Sequence, residues 1–391
     1  MAPPRTRKLW LDWQRGLAVL FMVEVHTLDA WLAPGAVSTP WPFGILAGSW
    51  VTPYAVLQMI GGLAAPGFLY MAGLSQALGD AAQERKGVPG PDRRRQALGR
   101  ALWLLGVAYG FRVAEFVLGG AWSRPGGWAD IVKVDVLNII AVGLALAAVL
   151  SVGRSRRLGA ALAGAAALTI ALATPVVADA LRHYDLPQAG AAAHPAARAA
   201  PNAVVDVLSA YLWASWPRAN FHVFNWAAFL LAGAALAPLA LGKRRPLAWL
   251  GLAAGLYALC WWADRWPAVY AYQSFWRTSP SWFGMRLAIC MALTGLLQLV
   301  PDAAERPLAW LSLLGRQSLV GYIASVELTY GATLELLSWW TRGAPLQKTL
   351  SFGTMAAGIV VMVGVTWAIS RGWERGQAWR KARASAGAAR A

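Results

Sequence analysis

Leu158-Gly159-Ala160-Ala161-Leu162-Ala163-Gly164-Ala165-Ala166-Ala167-Leu168-Thr169-Ile170-Ala171-Leu172-Ala173-Thr174-Pro175-Val176-Val177-Ala178 runs without a charged side chain, directly behind Arg154, Arg156 and Arg157. A hydrocarbon core of about 30 Å takes roughly 20 such residues as a helix. Only a helix satisfies the backbone groups of a single segment in lipid. Working outward, comparable apolar runs occupy 11–32, 51–79, 96–119, 131–152, 158–180, 222–241, 247–263, 281–300, 310–336 and 349–370. The expected fold is therefore an all-α, polytopic integral membrane helix bundle of about ten transmembrane helices.

Composition agrees. Of 391 residues, 58% are hydrophobic and 14% charged, with a mean hydropathy of +0.46. A soluble domain could not hide so much apolar surface. Tryptophans such as Trp10, Trp31, Trp50, Trp122, Trp310, Trp339 and Trp340 flank the apolar runs, where indoles favour the headgroup layer. The net charge of +17 sits in short clusters between runs and needs no nucleic-acid partner. The clusters are Arg5/Arg7/Lys8, Arg85/Lys86/Arg93/Arg94/Arg95, Arg154/Arg156/Arg157, Lys243/Arg244/Arg245 and Arg371/Arg375/Arg380/Lys381/Arg383. They fall on one side if the runs alternate, which predicts both termini inside (N-in/C-in). Residues 1–391 read as one transmembrane domain. Residues 181–221 form its periplasmic loop, with a short amphipathic piece near Val204–Trp213, and 371–391 a basic cytoplasmic tail. The basic start resembles a signal peptide, but Glu24, His26 and Asp29 in the first run argue for a retained helix. Cys260 and Cys290 lie within apolar runs and read as buried thiols, with no disulfide or metal spacing.

Ionisable groups inside a span are costly and face the bundle interior or a water-filled cavity. Asp12, Arg15, Met22, His26 and Asp29 share one face of the first helix, with Glu24 roughly opposite. His26 lies roughly 16 Å beyond Arg15 along the helix axis, at 1.5 Å per residue. Arg112, Glu115, Asp135, Arg286 and Glu327 come at a similar outer depth, which suggests a polar cavity opening outward. Arg112 or Arg286 could pair there with Glu24, Glu115, Asp135 or Glu327. A histidine with a carboxylate one turn away suits a general base or nucleophile. A histidine simply satisfied between packed helices is the competing reading. His183, His194 and His222 lie in or beside the outer loop and read as solvent-exposed. Ala64-Ala65-Pro66-Gly67-Phe68 predicts a kink in the second span.

The opening Leu11-Asp12-Trp13-Gln14-Arg15-Gly16-Leu17-Ala18-Val19-Leu20-Phe21-Met22, followed by His26, resembles the first helix of bacterial membrane proteins related to heparan-alpha-glucosaminide N-acetyltransferase. These belong to a wider group of transmembrane acyltransferases with Arg-Gly and a histidine eleven residues after the Arg, the spacing of Arg15 and His26. Ala65-Pro66-Gly67-Phe68-Leu69-Tyr70-Met71-Ala72-Gly73-Leu74, Val134-Asp135-Val136-Leu137, Phe275-Trp276-Arg277-Thr278-Ser279-Pro280 and Leu314-Gly315-Arg316-Gln317-Ser318-Leu319 are similar to later family segments. Two departures stand out. The lysosomal enzyme places its catalytic histidine in the loop after the first helix, whereas this chain has no histidine between His26 and His183. Related bacterial sequences often have a histidine soon after the position of Tyr322, where this chain reads Ile323-Ala324-Ser325.

The resemblance implies a membrane acyltransferase of the bacterial cytoplasmic (inner) membrane. It would move an acyl group, acetyl in the first place, from cytosolic acetyl-CoA to an amine or hydroxyl of an outward-facing glycan or cell-envelope acceptor, without a metal. Its implied catalytic residues are His26 and Asp29. Substrate-binding candidates are Asp12, Arg15, Arg94, Arg95, Arg112, Asp135, Arg286 and Glu327, with Arg94, Arg95, Arg100 and Arg15 suited to CoA phosphates. Partners are membrane lipids, acyl-CoA and the acceptor, with homo-oligomerisation left open. The alternatives are a transporter or flippase of a small polar or lipid-linked substrate, or a non-catalytic membrane scaffold.

Overall fold

The computed structural model describes residues 8–33, 53–118, 120–123, 127–181, 203–213, 219, 221–267, 269–270, 274–330 and 348–388. The uncharged stretch from Leu32 to Trp50, most of the 181–221 loop, His183, His194 and the end of the 310–336 run lie outside them, wholly or in large part.

The described chain is helical: α1 (Leu9–Trp31), α2 (Pro53–Gly61), α3 (Ala64–Glu84), α4 (Gly90–Leu118), α5 (Val136–Leu150), α6 (Arg156–Leu181), α7 (Ala203–Leu212), α8 (Val223–Ala240), α9 (Pro246–Ala263), α10 (Pro280–Leu299), α11 (Glu305–Arg316), α12 (Ser318–Thr329) and α13 (Phe352–Ala388). Among the described residues no strand forms, only two isolated bridges. Among the described residues, seven stretches are long and apolar enough to cross a membrane: Val56–Glu84 (α2 with α3), α4, α6, α8, α9, α10 and Phe352–Ser385 of α13. α5 and α12 are shorter apolar helices. α1 is long enough, but it carries Asp12, Arg15, Glu24 and Asp29. Leu168 and Val176 of α6, Leu247 and Leu259 of α9, and Val360 and Val361 of α13 are exposed, as lipid-facing side chains should be.

Two breaks differ from the sequence reading. The second run is interrupted at Gly61–Ala64, before Pro66, which sits in the first turn of α3. A proline there removes no helical hydrogen bond, so it starts the helix instead of kinking it. The ninth run breaks at Gln317 (φ −104°, ψ 28°), between α11 and α12.

The chain divides into two compact units, Met1–Ala65 with Val300–Ala391, and Pro66–Leu299. In the first, α1 crosses α11 at backbone contact. A Cβ on Gly16 would strike the Leu311 carbonyl, and one on Gly315 would strike the Asp12 carbonyl. The glycines of the Arg-Gly and Leu-Gly-Arg motifs thus make one crossing. Trp13 Nε1 (3.0 Å) and Ser312 Oγ (2.6 Å) both donate to Glu305 Oε2. At the far end of α1, Lys348 and Leu350 donate backbone N–H groups to Ala30 and Trp31, each at 2.9 Å. Leu28, Leu32 and Met355 are buried together over this join.

In the second unit the middle of α8 is buried, with Ala227, Ala228, Phe229, Leu230 and Leu231 inaccessible. An all-round apolar helix belongs in the centre of a bundle. It meets α3 through Gly73 and Gly233, each against the other helix's backbone. Phe275–Pro280 becomes the entry to α10. Ser279 Oγ accepts from the Ser281 and Trp282 amides at 3.1 and 3.4 Å, an N-terminal cap with proline at the helix start.

Candidate functional site

In the first unit the site is built along α1. Asp12 is buried and lies 3.8 Å from Arg15, one turn on. Two turns further, Met22 is buried and His26 half-buried on the same side. The His26 ring faces α12. Its Nδ1 lies 3.5 Å from Ser325 Oγ, and the ring makes an edge contact with Tyr330 at 5.4 Å between centroids. Ser325 Oγ also donates to the Tyr322 carbonyl at 3.0 Å. A hydroxyl has one proton to give, so toward His26 it acts as acceptor. With Ser325 as acceptor the proton sits on Nδ1, and Nε2 is the basic nitrogen of the neutral ring.

Asp29 is exposed one turn beyond His26. Its Oδ1 accepts from Gln58 Nε2 of α2 at 2.8 Å, and its main-chain carbonyl accepts from Lys348 Nζ. The contact shown at the imidazole is with Ser325, and the bonds shown at Asp29 are with Gln58 and Lys348. Glu327 lies two residues past Ser325 and is half-buried. Glu24 points away toward α2, where one carboxyl oxygen would block a Cβ on Gly61. It is 7% exposed, and neither oxygen has a hydrogen-bond partner.

In the second unit Arg112 and Asp135 form an ion pair between α4 and the start of α5. Asp135 is also the α5 N-cap, accepting from the Val136 amide at 2.7 Å in a capping box with Asn138. Asn138 Nδ2 donates to Tyr211 Oη at 3.0 Å, and Tyr211 bonds Tyr109 Oη at 2.7 Å. Burial, then the bond with Tyr109, push the Tyr211 phenol well above its ordinary range, so it remains neutral. Arg286 lies over the faces of Trp282 and Trp276, 5.6 and 6.0 Å from their centroids.

On the arginine-rich stretch opening α4, Arg93 is buried and paired with Asp80 at 2.8 Å. Arg94 Nε donates to the Val152 carbonyl at 3.3 Å, and Arg95 is exposed. His222 is buried, not exposed as expected. Its ring packs at a tilt against Trp213, 3.9 Å between centroids, and Nδ1 contacts the Phe224 carbonyl, inside the turn that opens α8. Among the described residues no cluster of histidine, cysteine or carboxylate could hold a metal.

Sequence reasoning missed Ser325 as the neighbour of His26. The signal was present in the departure Ile323-Ala324-Ser325, at a place where related sequences often carry a histidine.

Residues 7–275 match a family model described as heparan-alpha-glucosaminide N-acetyltransferase, catalytic. The matched region holds His26, Asp29, Arg112 and Asp135, and it ends before Arg286, Ser325 and Glu327. No curated protein matches the chain.

Proposed function

Because the chain belongs to the heparan-alpha-glucosaminide N-acetyltransferase catalytic family, and is an integral membrane protein, we propose that it transfers an acetyl group from cytosolic acetyl-CoA to an amine or hydroxyl of an outward-facing glycan or cell-envelope acceptor. The observation that carries the reading is the contact of His26 Nδ1 with a Ser325 hydroxyl already donated to the Tyr322 carbonyl, which makes Nε2 the basic nitrogen of the ring.

His26 Nε2 takes the proton of the acceptor amine or hydroxyl as that atom attacks the thioester carbonyl. The C–S bond breaks, and the imidazolium returns the proton to the departing CoA thiolate. Ser325 holds Nδ1 during the cycle. Asp29, fixed by Gln58, supplies negative charge one turn away that favours the imidazolium. Asp12 and Arg15 are the polar pair at the opposite end of this helix. In the second unit Arg94 and Arg95 serve the donor phosphates, and Arg286 with the Arg112–Asp135 pair serves polar groups of substrate. Glu327 of the first unit serves the acceptor.

We place the protein in the bacterial cytoplasmic membrane with about ten crossings and both termini inside. The alternating basic clusters support this, as do the helical stretches α1, α2 with α3, α4, α5, α6, α8, α9, α10, α11 with α12, and α13. Reporter fusions after Arg95, Arg157, Arg245 and Arg383 should all read cytoplasm, and mixed results would mean a miscounted crossing.

The direct test uses purified protein and labelled acetyl-CoA. Binding, followed by His26-dependent loss of label to an envelope fraction, is expected. No binding of acetyl-CoA would favour a transporter or flippase.

A further inference from the structure

A recess opens beside the turn joining α5 to α6. Its walls are the C-terminal half of α3, the first turns of α6 and the end of α8, with about 400 Å³ of open space including the mouth. Its polar lining is Asp80, Ser151, Arg154 and Arg156, and the rest is alanine, Gly159, Pro238 and Leu241. The small residues make the room. The charges are unevenly settled.

Asp80 is answered by Arg93 at 2.8 Å, and Arg156 by Glu84 at 2.7 Å. Arg154 has no carboxylate partner among the described residues. Its Nε is buried without a hydrogen-bond partner, and Nη2 reaches only the Val149 carbonyl at 3.4 Å. Three arginines against two carboxylates leave the recess one positive charge in excess. An unmatched guanidinium donor is costly to bury, and its fork fits the paired oxygens of a phosphate.

We propose that this recess binds a phosphate group, with Arg154 as its principal ligand and Arg156 as the second. Resting on the acyl-transfer reading above, the phosphate is one carried by the acyl-CoA donor. An anionic lipid headgroup presents the same chemistry and is the other source to separate. The recess then adds to Arg94, whose Nε is held by the Val152 carbonyl of the same turn, as an anchor for the donor.

The test measures binding of adenosine 3′,5′-bisphosphate, the phosphate-bearing end of CoA, to full-length protein in zwitterionic lipid nanodiscs. Wild type should bind. Arg154→Ala should weaken binding about ten- to a hundredfold, the loss expected for a hydrogen-bonded charge pair. Arg154→Lys should fall between, and Arg157→Ala, one turn position outside the recess, should match wild type. Mass spectrometry of phosphatidylglycerol retained on purification tests the other source. Retention that depends on Arg154, without nucleotide binding, keeps the phosphate site and makes a lipid its ligand. Neither ligand binding, or binding equal in Arg154→Ala, overturns the proposal.

A final arm separates this inference from the transfer reading. With acetyl-pantetheine as donor, which has no nucleotide phosphates, Arg154→Ala should turn over like wild type while His26→Ala should not. Wild type inactive with either donor would defeat the transfer reading. The bisphosphate and lipid arms would still decide the recess.

Discussion

Two regions of the molecule treat buried charge differently. In Pro66–Leu299, Arg93 meets Asp80 and Arg112 meets Asp135, and the second pair is reinforced by a capping box and a tyrosine–asparagine chain. In the other unit, the outer half of α1 presents Glu24 with no hydrogen-bond partner on either oxygen, His26 on a long contact to Ser325, and Asp29 held by the Gln58 amide and, at its main-chain carbonyl, by Lys348. Paired charges in a low-dielectric interior fix helices against one another, and removing one member leaves the other stranded. Groups left under-satisfied keep their lone pairs and protons available. The difference gives the paired groups a fold-holding role, whatever they also offer to substrate, and the outer half of α1 the proton chemistry, and that assignment can be broken.

The largest effect should come from His26→Ala. Loss of a general base lowers turnover about a hundred- to ten-thousandfold, with folded yield and heat stability close to wild type. Reduced yield with normal turnover per folded molecule would make His26 a packing residue and erase the contrast.

Next in size, Arg112→Ala should lower stability by about 3–5 kcal/mol, since Asp135 is left buried without its cation. Asp135→Ala should do the same. The double variant should lose less than the two together, because the members of a pair are coupled. Heat denaturation of the three proteins in one detergent reads this, and simple additivity would deny the pair its structural role.

Ser325→Ala should act more mildly, reducing kcat about fivefold with KM unchanged, as for loss of one neutral hydrogen bond of about 1 kcal/mol. A change confined to KM would place Ser325 on the acceptor instead of on His26.

The smallest effect belongs to Glu24→Gln. The carboxyl has no partner to lose, and an unpaired buried charge is itself unfavourable, so heat stability should hold or rise by about 1 kcal/mol. A fall as large as that of Arg112→Ala would mean that Glu24 holds the fold after all.

Much of this architecture is legible in one dimension, because lipid imposes a length and a polarity that each helix must meet alone. α4, α6, α8 and α10 lie close to where the apolar runs put them. The helix breaks are less legible. A proline in a sequence signals a kink or a start equally well, and only the interruption at Gly61–Ala64 makes Pro66 a start.

The site divides in the same way. His26 and Asp29 share a face because helical spacing is local. Ser325 is 299 positions from His26, and no periodicity links them. His222 shows the converse error. A position beside a loop suggests exposure, but Trp213 packs against the ring and buries it. Of the ion pairs open to Arg112 on depth alone, the partner it takes is Asp135.

The crossing of Gly16 and Gly315 joins a helix made before Pro66–Leu299 to one made after it. Between them the ribosome must deliver the whole of Pro66–Leu299, which forms its own compact unit. Throughout that interval α1 waits with Trp13 lacking Glu305 and His26 lacking Ser325. The first unit is therefore assembled last. A nascent chain stopped before residue 305 would hold a finished second unit beside an orphaned, polar α1, the form in which quality-control proteases would meet this protein.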